Sequence, residues 1–470
     1  MAHASFRGVS ICALALGMFT LLTPIGDKAL AASQDKNILT ELPPSPAFSS
    51  VSRARLNVFL DALEDGRTKT FEKLLPNFDD PLLQKASEWM WLISPNSGRS
   101  FEEITNFIDA NPKWPSQSLL RQRAEEAMTD AVPDDVVLAW FKRSAPVTAD
   151  GATRQIKALL VTGEIEAATT LIRNSWVNEN FGTGQEKRFL DRYGKYIDQE
   201  THQQRLDRLL WEGRLGPASR TEKYVSKDYL LLAKARAALR SLDPGVDGAI
   251  NRVPKKYQND PGLIYERVRW RRIKDRDQEA RDLLLSQAND LAYISIRPQY
   301  WWIEKAILAR RALQKGHITD AYRLVANHGQ SDAGDIAEAE WFAGWIALEF
   351  LGDARIALTH FQNQYDVVQY PISRARGAYW AGRANDAIGD KEKAREWYRL
   401  AADHAHTFYG QLAIDALGAK PTYSVEQPVP TEQQRADFES QELTQVTRKL
   451  GEMGLGNIIR PFVMALVYAH

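Results

Sequence analysis

Residues 352–361 read GDARIALTHF, and residues 389–398 read GDKEKAREWY. Each stretch opens on a glycine, carries an alanine five residues on (Ala357, Ala394) and an aromatic residue four further (Phe361, Tyr398). A third copy runs from Gly316 through Ala321 to Val325, and a weaker fourth from Gly163 through Ala168 to Ile172. Gly316, Gly352 and Gly389 stand 36 and 37 residues apart. Glycine ends a helix because it reaches positive φ without a Cβ clash. Alanine opens the next helix where two backbones must approach closely, and the larger residue lies one turn later on the same face. A period in the mid-thirties, built from two helices around a glycine turn, predicts stacked helical hairpins. The expected fold is therefore all-α: a right-handed superhelix (solenoid) of stacked hairpins, U-shaped or ring-like. Such an array offers an extended curved surface, which points to scaffolding or holding rather than to chemistry in a closed pocket.

Working outward, helices are expected to pair as 299–315 with 318–328, 335–351 with 353–365, and 372–388 with 391–404, followed by 406–417. Shorter amphipathic segments continue the pattern towards the N-terminus, among them 81–93, 99–110, 115–130, 228–240 and 262–273. Breakers such as Pro76, Asn111-Pro112 and Asp260-Pro261-Gly262 separate them. No alternating pattern of useful length predicts a strand. The superhelix is expected to span 51–418, after an extended arm at 32–50 that holds Pro43, Pro44 and Pro46. Residues 419–440 carry Pro421, Pro428 and Pro430 and read as a linker. Residues 441–470 read as the start of a truncated helical linker domain, with helices at 441–453 and 457–467. The second has an apolar face (Ile458, Ile459, Phe462, Val463, Leu466, Val467) that asks for a partner segment, in cis or in trans.

The 470 residues exceed what one compact core accommodates. Basic and acidic residues number 60 each, so no overall field draws the chain to nucleic acid or to an acidic membrane. Arg7, the apolar run 11–22 and the small-x-small site Ala29-Leu30-Ala31 follow the order of a cleavable signal peptide covering 1–31. The single cysteine, Cys12, lies in that run, so the mature chain is expected to have neither disulfide nor thiolate chemistry. No later apolar run reaches membrane-spanning length. The expected address is the periplasm.

Several phrases are more specific than a generic helical repeat: Tyr300-Trp301-Trp302, Ala339-Glu340-Trp341 through Gly344-Trp345, Pro371-Ile372-Ser373-Arg374-Ala375, Tyr379-Trp380-Ala381-Gly382-Arg383-Ala384, and Thr407-Phe408-Tyr409-Gly410-Gln411-Leu412-Ala413. Through them residues 299–417 resemble the superhelical domain of the soluble lytic murein transglycosylases. The resemblance implies a periplasmic protein that works on peptidoglycan glycan strands. That family cleaves the MurNAc–GlcNAc β-1,4 bond and leaves a 1,6-anhydro ring. Its acid is a Glu in a Glu-Ser-x-Phe context within a lysozyme-like domain, and burial raises such a carboxyl's pKa. This chain departs there. Glu439-Ser440 is the near match, but Glu442 stands where the aromatic residue belongs, and the preceding residues are polar. No catalytic residue is assigned, and whether the chain is an enzyme stays open. The expectation is a superhelical scaffold without its catalytic domain. The alternative is a helical-repeat adaptor for a periplasmic protein partner.

Trp301/Trp302, Trp341/Trp345, Tyr379/Trp380 and Trp397/Tyr398 fit either core packing or stacking on sugar rings. Residues 267–276 (RVRWRRIKDR) read as a solvated helix face, a cationic patch for stem-peptide carboxylates, or a nucleic-acid contact. His404 and His406 are two apart and lack the spacing of metal ligands. Asp332, Asp335, Glu338 and Glu340 lack the spacing of a calcium loop. No metal, cofactor or nucleotide motif is assigned.

Overall fold

The structure, a computed structural model, describes residues 50–66, 73–287, 291–419 and 429–469. The expected signal peptide, residues 32–49 of the arm and residues 420–428 of the linker lie outside them. Among the described residues every regular element is helical. The first stretch holds α1 (Ser50–Glu64), α2 (Pro81–Ile93), α3 (Phe101–Ala110), α4 (Gln117–Glu126), α5 (Asp134–Arg143), α6 (Ala149–Val161), α7 (Ile165–Asn178) and α8 (Thr183–Tyr193). The middle holds α9 (Gln199–Trp211), α10 (Leu215–Thr221), α11 (Lys227–Ser241), α12 (Val246–Asn251), α13 (Pro261–Ile273), α14 (Asp277–Gln287) and α15 (Leu291–Ile294). The most regular hairpins follow: α16 (Pro298–Gln314) with α17 (Ile318–Ala326), α18 (Ala333–Ile346) with α19 (Ala354–Val367), and α20 (Pro371–Ile388) with α21 (Lys391–Ala402), then α22 (Phe408–Ala416). Last come α23 (Glu432–Ser440), α24 (Glu442–Glu452) and α25 (Gly456–Ala469). The expected class, an all-α superhelix of stacked hairpins, is the one observed.

The repeat signature sits where its physics requires. Gly316, Gly352 and Gly389 have φ of +79°, +70° and +93°. The alanines five residues on, Ala321, Ala357 and Ala394, are buried, as are Val325, Phe361 and Tyr398. Each large ring of the last two hairpins packs on a glycine of the preceding helix. A Cβ built on Gly344 would lie 2.6 Å from Phe361, and one on Gly382 would lie 2.6 Å from Tyr398. Two further copies escape a search for glycine followed by a large apolar residue. Gly213 and Ala218 complete one, with Glu222 in the last place. In the other, Asp275 takes the glycine's place at φ +56°, followed by Ala280 and Leu284, both buried. Aspartate tolerates the left-handed region better than most residues, so the turn survives while the letter changes.

Arginines stitch neighbouring helices together. Arg154 donates to Asp134 at 2.6 Å, Arg236 to Asp207 at 2.6 Å, and Arg311 to Asp277 at 2.7 Å. Arg272 clasps Glu304 with two bonds, and the guanidinium of Arg205 lies 4.1 Å over Trp176. Arg205, Arg236 and Glu304 are only 1% exposed, so each pair must be satisfied by its neighbour, which fixes the register between hairpins.

The two ends of the array meet. Phe462 of α25 is fully buried between Trp89 of α2 and Trp114, with ring centroids 4.8 and 5.4 Å away in edge-to-face geometry. Glu442 of α24 accepts from Lys85 Nζ and from the Trp114 indole N–H, each at 2.6 Å, and Lys449 pairs with Asp80. The apolar face of 457–467 thus finds a partner in cis, with Phe462 and Leu466 buried there; Val463 and Val467 stay exposed. Within 419–440, the stretch 432–440 is helical and starts on a capping box of Thr431 and Gln434.

Candidate functional site

The structure separates the aromatic pairs that the sequence left undecided. Trp301, Trp380 and Tyr398 are core residues at 0, 8 and 5% exposure. Trp397 packs edge-on to Tyr365 at 5.2 Å. Trp341 and Trp345 are different. They lie one turn apart on α18, with rings in nearly parallel planes (11°) and centroids 6.0 Å apart. Both are half-buried and line an open groove of about 700 Å³. That volume falls within the range of ligand sites.

The groove crosses the first helices of the three regular hairpins and then α22. α16 contributes Arg310, Leu313 and Gln314, α18 contributes Glu338, Trp341, Phe342 and Trp345, α20 contributes Arg376, and α22 contributes Tyr409. One wall depends on a break in the helix. Residues Ala347–Leu351 form a π-turn at the end of α18, closed by the bond from the Gly352 N–H to the Ala347 carbonyl. This turn sets Phe350, 40% exposed, edge-on against Trp345 at 5.0 Å. Single π-turns are rare and concentrate at functional positions. Arg376 binds Glu338 at 3.2 Å and lies 5.2 Å over the Trp341 ring, which holds that indole in place. The wall is apolar where ring faces meet it and cationic at its rim.

Behind Trp341 the same helix carries a polar node. Glu340 is 9% exposed. It accepts from Asn363 Nδ2 at 3.2 Å and pairs with His328 Nε2 at 3.4 Å and His360 Nδ1 at 2.5 Å. The Gln330 N–H donates to His328 Nδ1, which puts that ring's proton on Nε2, facing Glu340. Tyr322 Oη meets His360 Nε2 at 3.0 Å. Burial alone would raise the Glu340 pKa, but hydrogen bonds from His328 and His360, with charge on His360, overcome it and bring the carboxyl to about 2. The node ties α17, α18 and α19 together and fixes the helix that carries Trp341 and Trp345.

The remaining candidates are absorbed structurally. Glu439 lies in α23 and forms a two-pronged pair with Arg448. In 267–276, Arg269 donates to the Arg240 carbonyl, Arg271 and Arg276 face Glu279, and Arg272 clasps Glu304, so most of its arginines are engaged within the fold. Asp332 caps α18. The rings of His404 and His406 are 6.4 Å apart, and among the described residues no group of three or more His, Cys, Asp or Glu is placed to hold a metal. Among these residues, too, no helix is long and apolar enough to cross a membrane.

No family model matches the chain, and no curated protein matches it. Solved structures do. The 70 kDa soluble lytic transglycosylase of Escherichia coli aligns at 16% identity and a TM-score of 0.56, over 90% of this chain and 66% of that one. A 70 kDa soluble lytic transglycosylase in complex with bulgecin A aligns at 17% identity and a TM-score of 0.55. The lytic transglycosylase Slt of Pseudomonas aeruginosa, an inactive mutant, aligns at 14% identity and 0.60, over 88% of this chain and 66% of that one. The chain thus spans 66% of the length of these neighbours. At such identities the likeness is one of architecture: this chain has the superhelical fold of the soluble lytic transglycosylases.

Proposed function

We propose that the chain is a peptidoglycan-associated helical scaffold that holds glycan strands in the groove of Trp341, Trp345 and Phe350. The observation that carries this reading is the groove itself: parallel indoles left half-exposed in an array whose other large aromatics are mostly buried, with a π-turn adding the third ring. Apolar ring faces with polar groups at the rim suit sugars, which present C–H faces and hydroxyl edges. The shared architecture with the lytic transglycosylases supports the same substrate class, and the leader-like N-terminus suits a periplasmic address. The alternative of a protein adaptor rested on the generic repeat and on the unshared face of 457–467, of which the N-terminal helices cover Phe462 and Leu466. Bond cleavage is not assigned to any described residue.

Retention on purified sacculi tests the reading. The full chain is expected to sediment with sacculi at physiological salt, and Trp345→Ala to weaken retention at least fivefold with its helix content unchanged. Equal retention of the variant and the parent would remove the groove from the proposal. No retention of either would remove glycan binding.

A further inference from the structure

The groove holds two guanidinium groups and one carboxylate. Arg376 is matched with Glu338 at 3.2 Å. Arg310 is not matched: its bond goes from Nη1 to the Ala306 carbonyl at 3.1 Å on its own helix, and no carboxylate pairs with it among the described residues. Its guanidinium lies 4.6 Å over the Phe342 ring. The adjacent arginine behaves otherwise, since Arg311 pairs with Asp277. The groove therefore carries one surplus positive charge, fixed in direction by an aromatic face. An oriented guanidinium loses less side-chain freedom on meeting a ligand than a free one does, and its planar fork matches a carboxylate.

Resting on the glycan-holding reading above, we infer that this groove takes amino-sugar strands bearing carboxylates, and that Arg310 is the residue that discriminates them from neutral strands. The ring faces of the sugar lie against Trp341 and Trp345, and a carboxylate of a substituent reaches the rim at Arg310. The stretch 267–276 was the sequence's candidate for this role, but there most of the arginines are engaged within the fold. Arg310 supplies from one position what that stretch does not.

Binding of the full chain, followed by tryptophan fluorescence, separates the two proposals. Three probes are used: solubilised glycan strands with their stem peptides, the same strands with all carboxyls converted to amides, and a neutral N-acetylglucosamine oligomer. Amidation is expected to weaken binding about fivefold at low salt, with the difference shrinking at high salt. Arg310→Gln is expected to reproduce that loss on the untreated strands and to leave binding of the amidated strands and the neutral oligomer unchanged. If strands bind and Trp345→Ala weakens them while Arg310→Gln changes nothing, the carboxylate inference falls and the glycan reading stands. If Arg310→Gln weakens all three probes equally, Arg310 is not a discriminator and the inference falls. If no probe binds, both fall.

Discussion

Replacing Glu340 with Gln tests whether the polar node holds the groove helix in place. The Glu340 carboxyl has an ordinary pKa of 4.5 and sits at about 2 in the folded chain, where two histidines and Asn363 face it. A folded value below the unfolded one stabilises the fold above the unfolded pKa, and the gain is lost as pH falls through the folded pKa. The contribution is thus complete at neutral pH and fades between pH 4.5 and 2. Full linkage would give about 3 kcal/mol. The side chain is still 12% exposed, and screening by the water it meets brings the figure to about 2 kcal/mol. Stacked repeats do not unfold in one step, so the local measure is native-state hydrogen exchange of the amides of α18 and α19. At pH 7 these amides are expected to open more easily in Glu340→Gln by about 2 kcal/mol. The gap between parent and variant should shrink as the pH is lowered towards 3, because the unfolded carboxyl takes up its proton there while the folded one is still ionised. A gap absent at pH 7, or one that keeps its size down to pH 3, would refute the claim that the ionised carboxylate organises the node.

Two further predictions concern the array. Phe462→Ala removes a fully buried ring from between Trp89 and Trp114 and should cost about 3–5 kcal/mol of end-to-end closure. Small-angle scattering should show a larger radius of gyration and exchange should speed up in α2, whereas unchanged values would mean that α25 does not hold the ends together. At Asp275, with φ +56°, substitution by Ala should lower stability by about 1 kcal/mol while Gly leaves it unchanged or slightly raised. The lost ion pair to Arg311 is exposed and spans 3.5 Å, so it contributes little to either variant. Equal melting temperatures for the two variants would show that the left-handed turn carries no strain.

How much of this was legible follows from which forces act locally. The hairpins from α16 to α22 were readable to within about two residues at most ends, because glycine turns, small residues at close approaches and helical periodicity are properties of short windows. The Asp275 copy was hidden because a backbone conformation, not a residue type, defines the turn. The short helices α10 and α12 were missed, since six or seven residues give no period to measure. Closure was out of reach in principle: Lys85 and Glu442 are 357 residues apart, and nothing in either window names the other. The apolar face of 457–467 signalled that a partner was needed but not that the chain itself provides it.

The aromatic pairs show the same boundary at the site. Trp341 stands eleven residues before its hairpin glycine and Trp380 nine before its own, an offset that turns them to different helix faces, and in the sequence both read as core or as platform. The helix face separates them, and the end of the helix adds to the difference. α20 runs regularly to Gly389, and Trp380 stays 8% exposed, packed on Phe361 and edge-on to Trp341. α18 instead widens into the π-turn at Ala347–Leu351, whose extra residue swings Phe350 onto Trp345. The local break in the repeat gives the half-buried Trp345 an exposed aromatic neighbour that the regular hairpins lack. The break costs helix hydrogen-bond geometry and leaves Phe350 40% exposed, with the edge-on contact to Trp345 as its return in packing. That is why the groove, and not the better-packed hairpin beside it, is where this fold is read as meeting its ligand.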